Sequence, residues 1–297
     1  MNENKIQSKI LGILDEFVRI CDKYNLLYFL AGGSALGAIR HEGFIPWDDD
    51  IDILMPRKDY NQLLSIPESA WKEPYQLSSF NTRSNYYYDF IKIEDKATTV
   101  IERLHPIYIG GLFIDIFPFD GVPDDTKLFE AQVYKIRKYM KKYIEVCIKH
   151  DNECANIIDL ISLHCNRFFT NKKKLLLNWD KIASEYSSDR LVTDFHSTWM
   201  NEPLKLSVLG NGKYHRFAQK EYRIPLEHDD YLKKMYGDYL TPPPPEKRKG
   251  HGFYYVNTEK RLSRKELIPI INDIKKQVRY KTSIKHEIKS IISWVKQ

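Results

Sequence analysis

The sequence predicts an α+β fold, a mixed β-sheet core flanked by helices, with a helical insert and a helical C-terminal tail. Three observations carry this. Over the first 120 or so residues, short apolar strand-like runs alternate with amphipathic helical stretches. From Lys127 to about Tyr186 the chain has neither Gly nor Pro and keeps a helical period, which predicts three helices. Beyond the break at Pro242-Pro243-Pro244-Pro245 it ends in a basic helical segment.

Ile6, Ile10, Ile13, Leu14, Phe17, Ile20 and Cys21 recur at helical spacing and Asn25 supplies a stop, so the chain opens with an amphipathic helix. Leu26 to Leu30 reads as a buried strand running into Ala31-Gly32-Gly33-Ser34. A helix over Ser34 to Arg40 is then broken by Gly43 and Pro46. Ile51 to Met55 is a second strand, followed by a helix from about Arg57 to Leu64. Strands are predicted at Tyr86 to Glu94, Thr98 to Ile101 and Leu112 to Phe117, the last bounded by Gly110-Gly111 and Pro118. The divisions expected are a core at 1–125, the helical insert at 126–190, a returning part of the core domain at 191–260 and the basic tail at 261–297.

Composition excludes several classes. A chain of 297 residues with 42% hydrophobic and 29% charged side chains is ordinary for a soluble globular protein. No apolar run approaches the ~20 residues of a membrane span. The first residues, MNENKIQSKI, lack an apolar signal core, and the four cysteines are too few and scattered for a disulfide scaffold, so a cytoplasmic location is expected. The net charge of +6 is a mild excess, which argues against a nucleic-acid partner. Cys147, His150, Cys154, His164 and Cys165 match no zinc spacing.

Two features of the first 120 or so residues carry chemistry. Gly32-Gly33-Ser34 stands between strand and helix, where glycines let the backbone approach a ligand and the helix start favours an anion; tight turns use the same residues for steric reasons alone. In Trp47-Asp48-Asp49-Asp50-Ile51-Asp52-Ile53, strand alternation puts Asp50 and Asp52 on one face and Ile51 and Ile53 on the other. Neighbouring carboxylates repel and call for a cation, and hard oxygen ligands suit Mg²⁺ or Mn²⁺. Asp115 lies inside the apolar run Leu112 to Phe117, where an acid is costly without a partner. A metal shared with Asp50 and Asp52 is one such partner; a buried salt bridge to Lys92 or Arg40 is the other.

The stretch GGSALGAIRHEGFIPWDDDIDI, Gly32 to Ile53, resembles the signature of the LicD family, a branch of the nucleotidyltransferase-fold superfamily. Lys92 to Lys96 with Thr98-Thr99, the strand Ile114 to Pro118 followed by Phe119-Asp120-Gly121, and Tyr236-Gly237-Asp238-Tyr239 match in order. The resemblance implies a nucleotidyltransferase-like core and transfer of a phospho-alcohol, such as phosphocholine, from a CDP-linked donor to a sugar hydroxyl. The acceptor it implies is a glycan or lipid-linked glycan of the cell envelope: teichoic acid, lipopolysaccharide or capsule. Asp50, Asp52 and Asp115 would be the catalytic metal ligands, with Asp115 also the candidate base. Gly32, Gly33, Ser34, Arg40 and Lys92 would face the donor phosphates. Trp47, Asp48, Lys247, Arg248 and His251 are possible substrate contacts. Attachment of an NMP to a small molecule with release of pyrophosphate is the alternative. Tyr86, Tyr87, Tyr88 and Trp47 could cage a quaternary ammonium, or could be packing.

The tail carries Ile284, Ile288, Ile291, Ile292, Val295 and Trp294 with Lys281, Lys285, Lys289 and Lys296. As a basic amphipathic helix it predicts peripheral contact with the inner face of a membrane, or packing on the protein body or a second copy.

Overall fold

The computed structural model describes residues 3–281, apart from 87, 105–106, 150–153, 188, 197–201, 249 and 251. The first helix, α1 (Glu3–Tyr24), buries Ile10, Ile13, Leu14, Phe17 and Ile20 and stops at Asn25, whose φ of 53° is left-handed. The strand β1 (Phe29–Leu30) then pairs antiparallel with β2 (Asp52–Pro56), and α2 (Gly32–His41) fills the crossover between them. A short helix, α3 (Arg57–Leu64), follows β2. Next come β3 (Tyr75–Ser78), β4 (Ile91–Leu104) and β5 (Ile107–Gly121). The strand β5 lies parallel to β2 and antiparallel to β4, while β3 pairs with the first half of β4. The sheet is therefore mixed, as the sequence predicts.

The sequence breaks this central hairpin into shorter pieces than the structure does. Gly110 and Gly111 lie inside β5, not at its edge. A Cβ at Gly111 would fall 1.9 Å from the Asp95 carbonyl oxygen and one at Gly110 would fall 2.1 Å from Glu94 Oε1. These glycines admit β4 across an irregularity in register between Asp95 and Val100. Pro118 does not end β5 either. The Asp115 N–H donates to Ile51 O on the β2 side, so the missing Pro118 N–H faces β4, whose pairing has already ended at Ile91↔Ile116. Tyr86 and the stretch Tyr88 to Phe90 are not strand; Tyr86 and Tyr88 are buried and pack edge-on with Tyr108 in the core, and Tyr87 lies outside the described residues.

The helical insert contains α4 (Thr126–Tyr143), α5 (Ile157–Phe169) and α6 (Lys172–Ala183), each with a side-chain N-cap from Asp125, Asn156 and Asn171. These are the three predicted helices, with a π turn over Ile144–Ile148 added after α4. Arg57 ties the insert to the sheet: its guanidinium grips Asp120 at 2.6 and 2.7 Å and Asp180 of α6 at 2.7 Å. Leu175, Leu176 and Trp179 of α6 join Phe129, Val133 and Ile136 of α4 in one apolar cluster.

Past the insert, β6 (Leu191–Thr193) pairs antiparallel with the end of β5 and with β7 (Leu204–Lys205), followed by α7 (Leu206–Leu209). The hairpin β8 (Lys213–Phe217) and β9 (Lys220–Ile224) leads into α8 (His228–Tyr236). Finally β10 (Tyr255–Asn257) pairs with the outer part of β4, and α9 (Arg264–Lys281) packs Leu267 near Ile101. The main apolar cluster draws on both α1 and α8, so residues before and after the insert share one core. The tail beyond 281, with its isoleucines and Trp294, lies outside the described residues.

His196 is buried, stacked on Trp179 and bonded through Nδ1 to Asp89 at 2.8 Å. Burial works against its charged form, but the hydrogen bond and charge of Asp89 outweigh it and raise the imidazole above its usual value. A raised folded-state value means the His196 contribution to stability is whole below the unfolded value of about 6.5 and fades as pH climbs through the folded one. Thermal midpoints read between about pH 6 and about pH 9 should show a loss that Asp89→Asn flattens. An unchanged slope in that variant would assign the loss to other groups.

Candidate active site

The register of the sheet gathers the predicted acids. Asp52, the first residue of β2, stands beside Asp115 of β5, and Asp115 stands beside Lys92 of β4. Neighbouring register positions point the same way, so the three side chains form one row across three strands. The α2 start abuts the row. Ser34 Oγ accepts the Asp52 N–H at 2.9 Å, and the Gly32 N–H donates to Tyr231 Oη at 3.1 Å. Gly32 has a left-handed φ of 49°, and a Cβ there would sit 3.3 Å from Asp52 Oδ2 and 3.5 Å from Tyr236 Oη. A Cβ on Gly33 would sit 2.8 Å from Asp48 Oδ2. The double glycine therefore makes room for two carboxylates.

The group of three carboxylates that could share a cation differs from the pair that strand alternation picks out. Asp48, Asp49 and Asp50 bring oxygens within 4.8 Å of each other, the one such group of three among the described residues, while Asp52 and Asp115 form the adjoining row. The reason is local. The strand starts only at Asp52, and the chain before it turns, with the Asp48 N–H donating to Ile45 O at 2.9 Å. Side chains in a turn do not alternate as those in a strand do. The hard, half-buried oxygens of Asp48 to Asp50 are of the type that a divalent cation takes.

Asp115 has the salt bridge that sequence reasoning set against a metal. Lys92 Nζ lies 2.7 Å from Asp115 Oδ1 and 3.3 Å from Glu102 Oε2. The ammonium is fully buried, over the Phe113 ring at 3.2 Å and the Tyr88 ring at 4.7 Å. Burial pushes the Asp115 carboxyl up to about 7 against the pull of Lys92, and Glu102 and Asp50 add to the rise. Lys92 thus holds Asp115 from behind and reaches no solvent. Arg40 does not pair with Asp115: its Nη1 donates to Tyr239 O at 2.8 Å.

The remaining contacts divide. Trp47 is half-buried, with the Arg248 guanidinium 5.2 Å from its ring centre. Trp47, Asp48 and Asp49 line a pocket of about 340 Å³ with Gln7 of α1, Gly250 and Phe253. Lys247 is exposed on the turn after the prolines, and His251 lies outside the described residues. Sequence reasoning assigned no role to Tyr236, although its motif stands out. Its Oη lies with Asp52 Oδ2 beside Gly32, and its phenol is raised above the usual range by burial first and then by the charges of Asp52, Asp48 and Asp50. Glu102 was also missed, because its place depends on the long β4 strand.

Ser34→Ala removes the acceptor of a buried N–H and is expected to cost about 1–2 kcal/mol. Because the hydroxyl sets the position of Asp52, kcat should fall with kcat/KM. A variant that raises only the donor KM would place Ser34 on the donor's phosphates instead.

The mixed sheet thus brings acids together at the end of the β2–β5 pair, beside the Gly-Gly turn. Residues 25–151 match the family model described as LicD/FKTN/FKRP, nucleotidyltransferase domain. It is 28% identical over 250 residues to the lipopolysaccharide cholinephosphotransferase LicD of Haemophilus influenzae, covering 81% of this chain and 92% of that one. It is also 27% identical over 175 residues to an uncharacterised protein of Rickettsia prowazekii, 59% of this chain and 56% of that one. An uncharacterised Rickettsia typhi protein is 30% identical over 153 residues, 49% and 43% of the two chains.

Proposed function

We propose that the protein is a LicD-type phosphotransferase that moves a phospho-alcohol, phosphocholine first among them, from a CDP-linked donor to a hydroxyl of a cell-envelope glycan. The observation that carries this reading is the row Asp52–Asp115–Lys92 beside Asp48 to Asp50, in a chain that matches the Haemophilus cholinephosphotransferase over 92% of its length. The acceptor assigned is lipopolysaccharide or a comparable lipid-linked glycan, with teichoic acid and capsule as further members of the class.

The carboxylates of Asp50, Asp52 and Asp115, with Asp48 and Asp49 alongside, would hold Mg²⁺ or Mn²⁺. Such an ion supplies charge neutralisation at a diphosphate. The chain's own residues do the rest. Lys92 fixes the Asp115 carboxylate, which is assigned to accept the proton of the attacking hydroxyl. Ser34 and the Gly32-Gly33 turn fix Asp52 beside it. Arg40, whose guanidinium is held below its usual value by burial and by the nearby Arg248 charge, and Arg248 beside it are assigned to the donor's phosphates. Trp47 is assigned to the edge of the donor pocket.

A panel of CDP-choline, CDP-ribitol and CDP-glycerol, read by thermal shift with Mg²⁺, tests the donor. One CDP-alcohol should raise the midpoint more than CDP or CTP does. Equal shifts across the panel would remove the alcohol from the recognised part. The reading places the protein in the cytoplasm; among the described residues no helix is long and apolar enough to cross a membrane.

A further inference from the structure

Among the described residues, nothing covers an apolar face that the helical insert presents. On α5, Ile157, Ile158, Ile161, Phe168 and Phe169 are 66%, 73%, 57%, 83% and 81% exposed. At helical spacing these five fall on one continuous arc, shared only with Cys165, Ser162 and His164, while Leu163 on the opposite side is buried. Single exposed apolar residues are ordinary, but a whole helix face of them marks an interaction surface. The helix is held from its other side. Asn166 bonds Lys142 at 2.8 Å and Glu145 at 2.6 Å, and Arg167 donates to the Lys149 carbonyl.

Cations rim this face. Lys172, Lys173 and Lys174 form the first turn of α6, three to six residues beyond Phe168 and Phe169. Lys138, Lys141 and Lys142 of α4 line a separate groove of about 390 Å³ with Tyr139, Glu145 and Leu175, on the side from which Lys142 holds Asn166. Residues 126–190 hold thirteen lysines and arginines against eight acids. From these observations we infer that the insert docks on an anionic lipid bilayer, with the exposed arc of α5 in the interface and the lysines at the start of α6 on the headgroups. An apolar face ringed by cations has the chemistry of such a surface. A second copy of this chain fits less well, because face-to-face contact would bring two lysine rims together. Docking would suit a lipid-linked acceptor, as the proposed function requires, yet it stands on α5 and its rim alone.

The full chain is tested by co-sedimentation with vesicles that carry no glycan and with no donor present, so that failure of the catalytic reading leaves the outcome unaffected. Wild type should sediment with phosphatidylglycerol–phosphatidylcholine vesicles at low salt, and far less with phosphatidylcholine alone. Phe168→Ser/Phe169→Ser should weaken partitioning at least about tenfold, with an unchanged thermal midpoint because both rings are exposed. Ile158→Ser, elsewhere on the arc, should act in the same direction, and Lys173→Glu/Lys174→Glu should abolish the preference for anionic lipid. Wild type left in the supernatant would overturn the inference. So would double-Phe partitioning equal to wild type, which would place the contact outside α5. A dimer in sedimentation equilibrium that Phe168→Ser/Phe169→Ser dissociates would overturn it as well, by assigning the face to a second copy.

Discussion

Asp52→Asn should lower phospho-alcohol transfer about a thousandfold or more while leaving the fold intact. The side chain sits where β2 begins, next to Asp115 in register and close to the α2 turn, so its charge is at the centre of the proposed site. Its backbone ties are the N–H to Ser34 Oγ and the carbonyl that accepts the Ala31 N–H at 2.9 Å. Asparagine keeps both. Removing one charge from a crowd of carboxylates relieves repulsion, so thermal stability in the absence of metal should hold or rise slightly. Asp50→Asn should behave alike, since Asp50 belongs to the three-carboxylate group. Activity near wild type in either variant would remove that residue from the ligands.

Lys92→Met has the largest effect expected on stability, and it separates Asp115 from the other two acids. The ammonium is fully buried and serves both Asp115 and Glu102. Deleting it strands a buried carboxylate, at a cost of about 3–5 kcal/mol, a drop in melting temperature of roughly 6–15 °C for a chain of this size. Asp115→Asn should also destabilise, since it leaves Lys92 with Glu102 alone. It thus differs from Asp52→Asn, which loses activity without loss of fold. The double variant Lys92→Met/Asp115→Leu should recover a good part of the stability lost by Lys92→Met and none of the activity. A double variant as unstable as the sum of the two singles would mean that the pair does not act as a unit.

Much of this site is legible in the sequence because it rests on local rules. The strand over Ile51 to Met55, the helix Arg57–Leu64 and the alternation that isolates Lys92 between Ile91 and Ile93 follow from period and punctuation. Where sequence reasoning fails, the missing information is long-range. Gly110 and Gly111 read as an edge because only the partner strand shows that they admit Glu94 and Asp95. The grouping of Asp48 and Asp49 with Asp50 depends on a turn, and the place of Tyr236 depends on α8 returning to α2 across almost 200 residues. The exposed face of α5 is hidden for the same reason: an apolar helix in a sequence reads as core until its neighbours are known.

The central claim is that this site breaks a CDP-linked donor and hands its phospho-alcohol to a hydroxyl. It is tested most directly by identifying the nucleotide released. With CDP-choline, Mg²⁺ and a lipopolysaccharide acceptor, the wild-type protein should release CMP in step with choline incorporated into the acceptor, and Asp52→Asn should release neither. Pyrophosphate formed from an NTP, with no CMP from any CDP-alcohol, would contradict the account and make the protein a nucleotidyltransferase.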